Sequence, residues 1–151
     1  MMIKTRIVFW VFGVLMISFL TGCSENHKAN SEPWAEPQLI QPSELAGIIE
    51  KGNTSDVYLY SIGPAGPIKG SVEFGPAQQS DNLKQLEKRL NELPKDANVV
   101  LYCGCCPFKD CPNIRPAFTL LNEMGFTRHK LLNLSQNLKV DWIDKGYPLM
   151  D

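Results

Sequence analysis

Residues 99–106 read Val-Val-Leu-Tyr-Cys-Gly-Cys-Cys, four apolar residues in a row followed by a cluster of thiols. The uninterrupted run Val99–Tyr102 predicts a strand covered on both faces, as in a parallel sheet between helical layers. Upstream, Asp81 heads a segment with leucines at 83, 86, 90 and 93, one face of a 3.6-residue period, stopped by Pro94. Downstream, Asn113 stands where a helix cap is wanted, before Ile114, Ala117, Phe118, Leu121 and Met124, with Gly125 as the stop. Pro116 falls in that helix's first turn, where a missing N–H costs little. Further strands are expected at Asp56–Tyr60, Ser71–Phe74 and Leu131–Leu134, and further helices at Pro42–Gly52 and Leu138–Lys145. Strands alternating with helices predict an α/β fold, a single domain with a mostly parallel sheet and helices on both faces.

In such a sheet, ligands sit outside the carboxyl ends of the strands, and the residue just past the most buried-looking strand is Cys103. Cys105, Cys106 and Cys111 follow it in the loop that feeds the next helix. Unpaired backbone N–H groups and a helix N-terminus favour the thiolate, the form that attacks sulfur. Lys109 and Arg115 add positive charge nearby, which suits an anionic substrate, although each is also an ordinary solvated cation at its position. These features point to a reactive thiol without saying which of the four it is. One structural disulfide among Cys105, Cys106 and Cys111 is a competing expectation, with Cys111 the better-placed partner. A zinc or soft-metal site such as copper(I) is another, although the spacing is not a pair of Cys-x-x-Cys knuckles. His129, Phe118 and Trp142 are expected to serve packing.

The 151 residues hold about one domain. Fifteen basic against sixteen acidic residues give a net charge of −1, which excludes a dedicated nucleic-acid binder. At the N-terminus, Lys4 and Arg6 precede an apolar run, Ile7–Leu20, too short to span a bilayer stably and suited to a secretory signal peptide. Leu20-Thr21-Gly22-Cys23 resembles the lipobox of bacterial lipoproteins. That resemblance implies cleavage after residue 22, lipidation of Cys23, and a membrane partnership through the acyl chains. Residues 23–38 read as a polar, lipidated flexible tether, within which Trp34 is the one residue suited to pack on the domain. The expected location is the cell envelope outside the cytoplasm. Ser24 resembles the outer-membrane sorting class, facing the periplasm, if the host is Gram-negative.

Tyr102-Cys103 at a strand end, Arg115 opening the next helix, Met124-Gly125-Phe126 closing it, and Trp142 with Gly146-Tyr147-Pro148 together resemble a rhodanese domain. Gly66-Pro67-Ile68-Lys69-Gly70-Ser71 is similar to that family's Gly-His-Ile-Pro-Gly-Ala segment, and the resemblance covers the domain assigned to residues 39–151. It implies a sulfurtransferase in which Cys103 carries sulfane sulfur as a persulfide, with no organic cofactor. Arg115 and Lys109 would then hold an anionic sulfur donor, and the amides of Gly104, Cys105 and Cys106 would cradle the sulfur before a thiol or other nucleophile accepts it. Cys105, Cys106 and Cys111 would be auxiliary thiols. The chain departs from the family pattern in three places. Arg115 lies twelve positions after Cys103 where the family's arginine lies five after its cysteine, Ser61 and Gly63 stand at its Asp-x-Arg, and Pro67 replaces its histidine. The alternatives are a thiol–disulfide or soft-metal-handling protein using the same cysteines, and a non-catalytic rhodanese-like binding module.

Overall fold

The computed structural model describes residues 32–64, 66 and 68–150. The expected signal segment, Cys23 and the first part of the tether lie outside the described residues. Among the described residues, no helix is long and apolar enough to cross a membrane.

The chain is an α/β domain. Five strands, β1 (Leu39–Ile40), β2 (Tyr58–Ser61), β3 (Val72–Glu73), β4 (Val99–Tyr102) and β5 (Lys130–Leu132), form one sheet in the order β1-β5-β4-β2-β3. Every pairing is parallel. Parallel neighbours require crossovers, and α1 (Pro42–Glu50), α2 (Ser80–Leu90) and α3 (Ile114–Glu123) supply three of them; α4 (Leu138–Asp141) follows β5.

β4 is central, and all four of its residues are buried. Strand alternation sends Val99 and Leu101 toward α2 and α3, where Leu86, Leu90, Phe118 and Leu121 meet them. It sends Val100 and Tyr102 the other way, onto Leu45 and Ile49 of α1 and onto Trp142. The alternation continues past the strand end, so Cys103 packs on the α2/α3 side with Leu101.

Tyr102 is a polar pin within the apolar layer. Its hydroxyl donates to the Gly66 carbonyl (2.7 Å), and it meets the Ile68 N–H (3.2 Å) and Ser71 Oγ (2.9 Å). One phenol thereby ties the long β2–β3 connection to the central strand.

Several local expectations shift. Helix α1 opens at Pro42 on an extended Gln41, so proline takes the first helical position, and the helix ends at Glu50, before Gly52. Asp56 belongs to a 3-10 turn, Asn53–Asp56, and β2 begins two residues later. The last helix breaks after Asp141 and resumes as a 3-10 turn at Ile143–Lys145.

Residues 32–38, expected to end the tether, lie on the domain. Trp34 is 9% exposed, with its ring 5.8 Å from Phe108 and 5.9 Å from Phe118. Asn122 donates to the Pro33 carbonyl at 2.7 Å, and Arg115 pairs with Glu32 at 2.6 Å. His129, buried beneath this strap, contacts Gln38 and Asn122 through Nε2 and packs with its ring tilted 4.6 Å from that of Phe118, a packing role; burial holds its pKa below the usual value.

Two stability predictions follow from these contacts. Trp34→Ala should cost about 3–5 kcal/mol in urea unfolding, the penalty for a large buried aromatic; a change below about 0.5 kcal/mol would return residues 32–38 to a tether. Tyr102→Phe should cost about 1–3 kcal/mol, because it strands buried partners in the 66–71 segment.

Candidate active site

Cys103 is held where β4 ends, and it is 1% exposed. The β2 chain runs alongside it, with the Ile62 N–H bonded to the Tyr102 carbonyl at 3.0 Å. One residue on, Gly63 packs directly on the thiol. A side chain there would collide with the Cys103 sulfur and press on its Cβ at 3.3 Å. The glycine is thus favoured by space and not by backbone conformation, and a side chain as large as arginine has no room there.

From Cys103 the loop passes through Gly104, whose carbonyl accepts the Leu138 N–H at 3.0 Å, and through Phe108, whose N–H bonds the Leu134 carbonyl at 3.0 Å. These two bonds staple the loop to the connection after β5. Phe108 is itself buried, so the loop carries its own apolar plug. The chain then returns to the sheet end at Cys111, fully buried, and Asn113, 2% exposed.

Asn113 is the residue that organises the site. It occupies the helix-cap position but its side chain makes no capping bond. Its Oδ1 accepts the Gln78 N–H at 3.2 Å, which turns the amide nitrogen toward two sulfurs, Cys103 at 3.5 Å and Cys111 at 3.8 Å. The sulfurs of Cys103, Cys105 and Cys111 lie within 4.8 Å of one another. Cys105 is exposed, and its sulfur touches both Cys103 and Cys106 at 3.3 Å. All four loop cysteines are free thiols, so the expected disulfide among Cys105, Cys106 and Cys111 is absent.

The electrostatics follow from this ring of donors. The Cys103 thiol is lowered from 9.0 to about 5 by the Cys111 thiol first and then by the Asn113 amide and the Cys105 N–H and S–H, which together outweigh burial. Its neighbours shift oppositely. Cys105 is pushed up to about 12 by desolvation and by the Cys106 and Cys103 sulfurs. Cys111 is pushed up by donating to Cys103 and by burial. At neutral pH, one buried thiolate is solvated by protonated thiols and amides.

Other residues expected at the site are placed elsewhere. The Arg115 guanidinium is taken by Glu32, by the Lys109 carbonyl at 2.7 Å and by the Trp34 ring at 5.6 Å, none of which belongs to the thiol cluster. Lys109 Nζ lies 5.7 Å from the Phe108 ring. A cleft of about 480 Å3 flanks the loop between Glu36, Pro107–Asp110 and Ser135, but none of the four thiols lines it. Of the residues that sequence reasoning singled out, the structure gathers Cys103, Cys105 and Cys111, with Cys106 at the rim, and does not bring Lys109 or Arg115 to them. Asn113 and Gly63 were missed as site residues. The cap position of Asn113 concealed its contact with the sulfurs.

No protein-family model and no curated protein matches the chain. The fold is similar to that of EanB. The complex of an EanB variant with hercynine shares 16% identity over 75% of this chain and 27% of that one, with a TM-score of 0.56. EanB with ergothioneine covalently linked with a cysteine persulfide shares 16% identity over 75% and 28%, with a TM-score of 0.54. Wild-type EanB matches at 15% identity over 75% and 27%, with a TM-score of 0.55. The chain thus spans about a quarter of the length of those proteins, and at this identity the likeness shows the fold.

Replacing the Asn113 amide by a carboxylate isolates its contribution. In Asn113→Asp, the thiolate absorbance of Cys103 should titrate at clearly higher pH than in the parent, for which a midpoint near the lowered value of about 5 is expected. An unchanged midpoint would remove Asn113 from the site. Gly63→Ala should cost about 1–3 kcal/mol and displace the thiol, seen as a shifted midpoint in the same titration.

Proposed function

We propose that this chain is a sulfurtransferase of the rhodanese type, carrying sulfane sulfur as a persulfide on Cys103. The observation that carries the reading is the buried Cys103 thiolate at the carboxyl end of the central strand, held by the Asn113 amide, the Cys105 N–H and two neighbouring thiols. A low thiol pKa without a nearby cation favours a nucleophile that is ionised at neutral pH and fixed in direction. The likeness to EanB, one of whose structures holds a cysteine persulfide, agrees with this chemistry on this fold.

The transfer balances without an external oxidant or reductant. The Cys103 thiolate attacks the outer sulfur of a sulfane donor, and the bond from that sulfur to the rest of the donor breaks. Sulfite or a thiolate leaves with the electron pair, and Cys103 holds the added sulfur. An acceptor nucleophile then takes that outer sulfur, and the Cys103 thiolate returns. The amides of Gly104, Cys105 and Cys106 are the proposed cradle for the charged sulfur. Cys105 must swing aside to admit the donor, because Cys103 is buried and the exposed Cys105 sulfur is in contact with it. Arg115 would join donor binding only after releasing Glu32, so the pocket for the anion differs from the family's short loop.

The proposal places this reaction in the bacterial cell envelope, with the domain lipid-anchored through Cys23. That part rests on residues 1–24 of the sequence.

Mass spectrometry of the reduced protein after incubation with thiosulfate or a persulfide donor tests the nucleophile. The expected result is a gain of about 32 Da, one sulfur atom, in the parent and its loss in Cys103→Ser. Persistence of the adduct in Cys103→Ser would reassign the nucleophile to another thiol. Cys23→Ser should release the protein from the membrane fraction, and continued membrane association would exclude the lipid anchor.

A further inference from the structure

We propose that Cys103, Cys105 and Cys111 form a three-sulfur site for a soft monovalent metal ion of the copper(I) class. The inference rests on the geometry of the thiols and stands independently of the sulfur-transfer reading. Among the described residues, this is the one place where three side chains of the metal-ligating kinds converge, with all three donor atoms within 4.8 Å of one another.

The donor set narrows the ion. Every ligand is sulfur, and thiolates select soft ions over the hard cations that demand oxygen. Zinc in a structural site wants four ligands in a tetrahedron, whereas copper(I) is satisfied by three sulfurs. Cys106, the obvious fourth, stands outside the group, with its sulfur 3.3 Å from that of Cys105.

The surroundings resemble those of a ligand site more than a chance crowding of thiols. Cys103 and Cys111 are buried and anchored, while Cys105 is exposed and can rotate, giving the ion a way in. Asn113 supplies an outer shell. Locked by the Gln78 N–H, its amide points at both buried sulfurs and fixes their orientation. Gly63 closes the remaining side. Binding releases the thiol protons to solvent and moves no electrons, so no redox partner is needed. A bound ion and a persulfide on Cys103 would compete for the same sulfur.

The test uses the full chain carrying Cys23→Ser, so that the loop holds its only cysteines, reduced and handled without oxygen. Copper(I) is supplied from a coloured chelator, and its transfer is read by loss of chelator colour and by ultraviolet copper–thiolate absorbance. The expected result is one ion per chain, lost in Cys105→Ser and in Cys111→Ser and retained in Cys106→Ser. Asn113→Ala should bind about 10–100-fold more weakly, as for other outer-shell losses. Cys105 is exposed and outside the core, so Cys105→Ser decides the matter even if Cys111→Ser misfolds. No transfer from the chelator, equal transfer to Cys105→Ser, or zinc(II) binding at least as tightly as copper(I) would overturn the proposal. Copper binding in a protein that forms no persulfide would sink sulfur transfer and leave this inference standing.

Discussion

A negative charge on a buried sulfur must be solvated by the protein itself, and everything around Cys103 serves that requirement. No cation does the work. The Cys111 and Cys105 thiols, the Cys105 N–H and the Asn113 amide provide the solvation, each aimed by something further out. Asn113 is aimed by the Gln78 N–H, so a bond made in the segment before α2 orients a donor at the start of α3. Hydrogen bonds without a counter-charge hold the anion in one direction and raise the fraction of Cys103 present as thiolate, the form that attacks sulfur.

The sheet decides where that sulfur sits. Strand alternation places Tyr102 on one face and Cys103 on the other, so two adjacent residues hold two different parts of the molecule. Tyr102 fixes the segment 66–71 with its hydroxyl, and Cys103 receives the loop, Gly63 and Asn113. Closeness has a cost in sequence freedom. With the chain just past β2 packed on the thiol, position 63 cannot carry a side chain without displacing the Cys103 sulfur.

The elements legible in the sequence were those whose burial is periodic. The run Val99–Tyr102 has no polar residue and became the buried central strand, and the spacing Ile114, Ala117, Phe118, Leu121 gave the inner face of α3. The thiol cluster was legible as a group because cysteines in one loop must lie near one another. What was not legible depends on partners far along the chain. Asn113 meets Gln78 across 35 residues, and Arg115 meets Glu32 across 83. No local pattern encodes either contact, so the amide looked like a cap and the guanidinium like an anion holder. Trp34 was suited to packing by its type, but the strap of residues 32–38 had no periodicity to announce it. Position 63 is a glycine for a reason visible only in three dimensions, the volume of the Cys103 sulfur.

Reactivity and accessibility are divided between two sulfurs. Cys103 is ionised and covered; Cys105 is exposed and holds its proton. Neither alone meets a large reagent as an exposed thiolate, which guards the site against indiscriminate oxidation and alkylation, since susceptibility follows thiolate character and exposure together. The same division imposes a condition on any productive ligand. It must displace or engage Cys105 before it reaches the charge beneath, and engaging Cys105 removes one of the donors that keeps Cys103 ionised. A ligand that replaces that lost donor with its own hydrogen-bonding group, or a metal ion that replaces it with positive charge, restores the balance. A purely apolar intruder does not. Selectivity at this site therefore begins with whether the incoming group can take over the solvation of a buried anion, before its shape is tested.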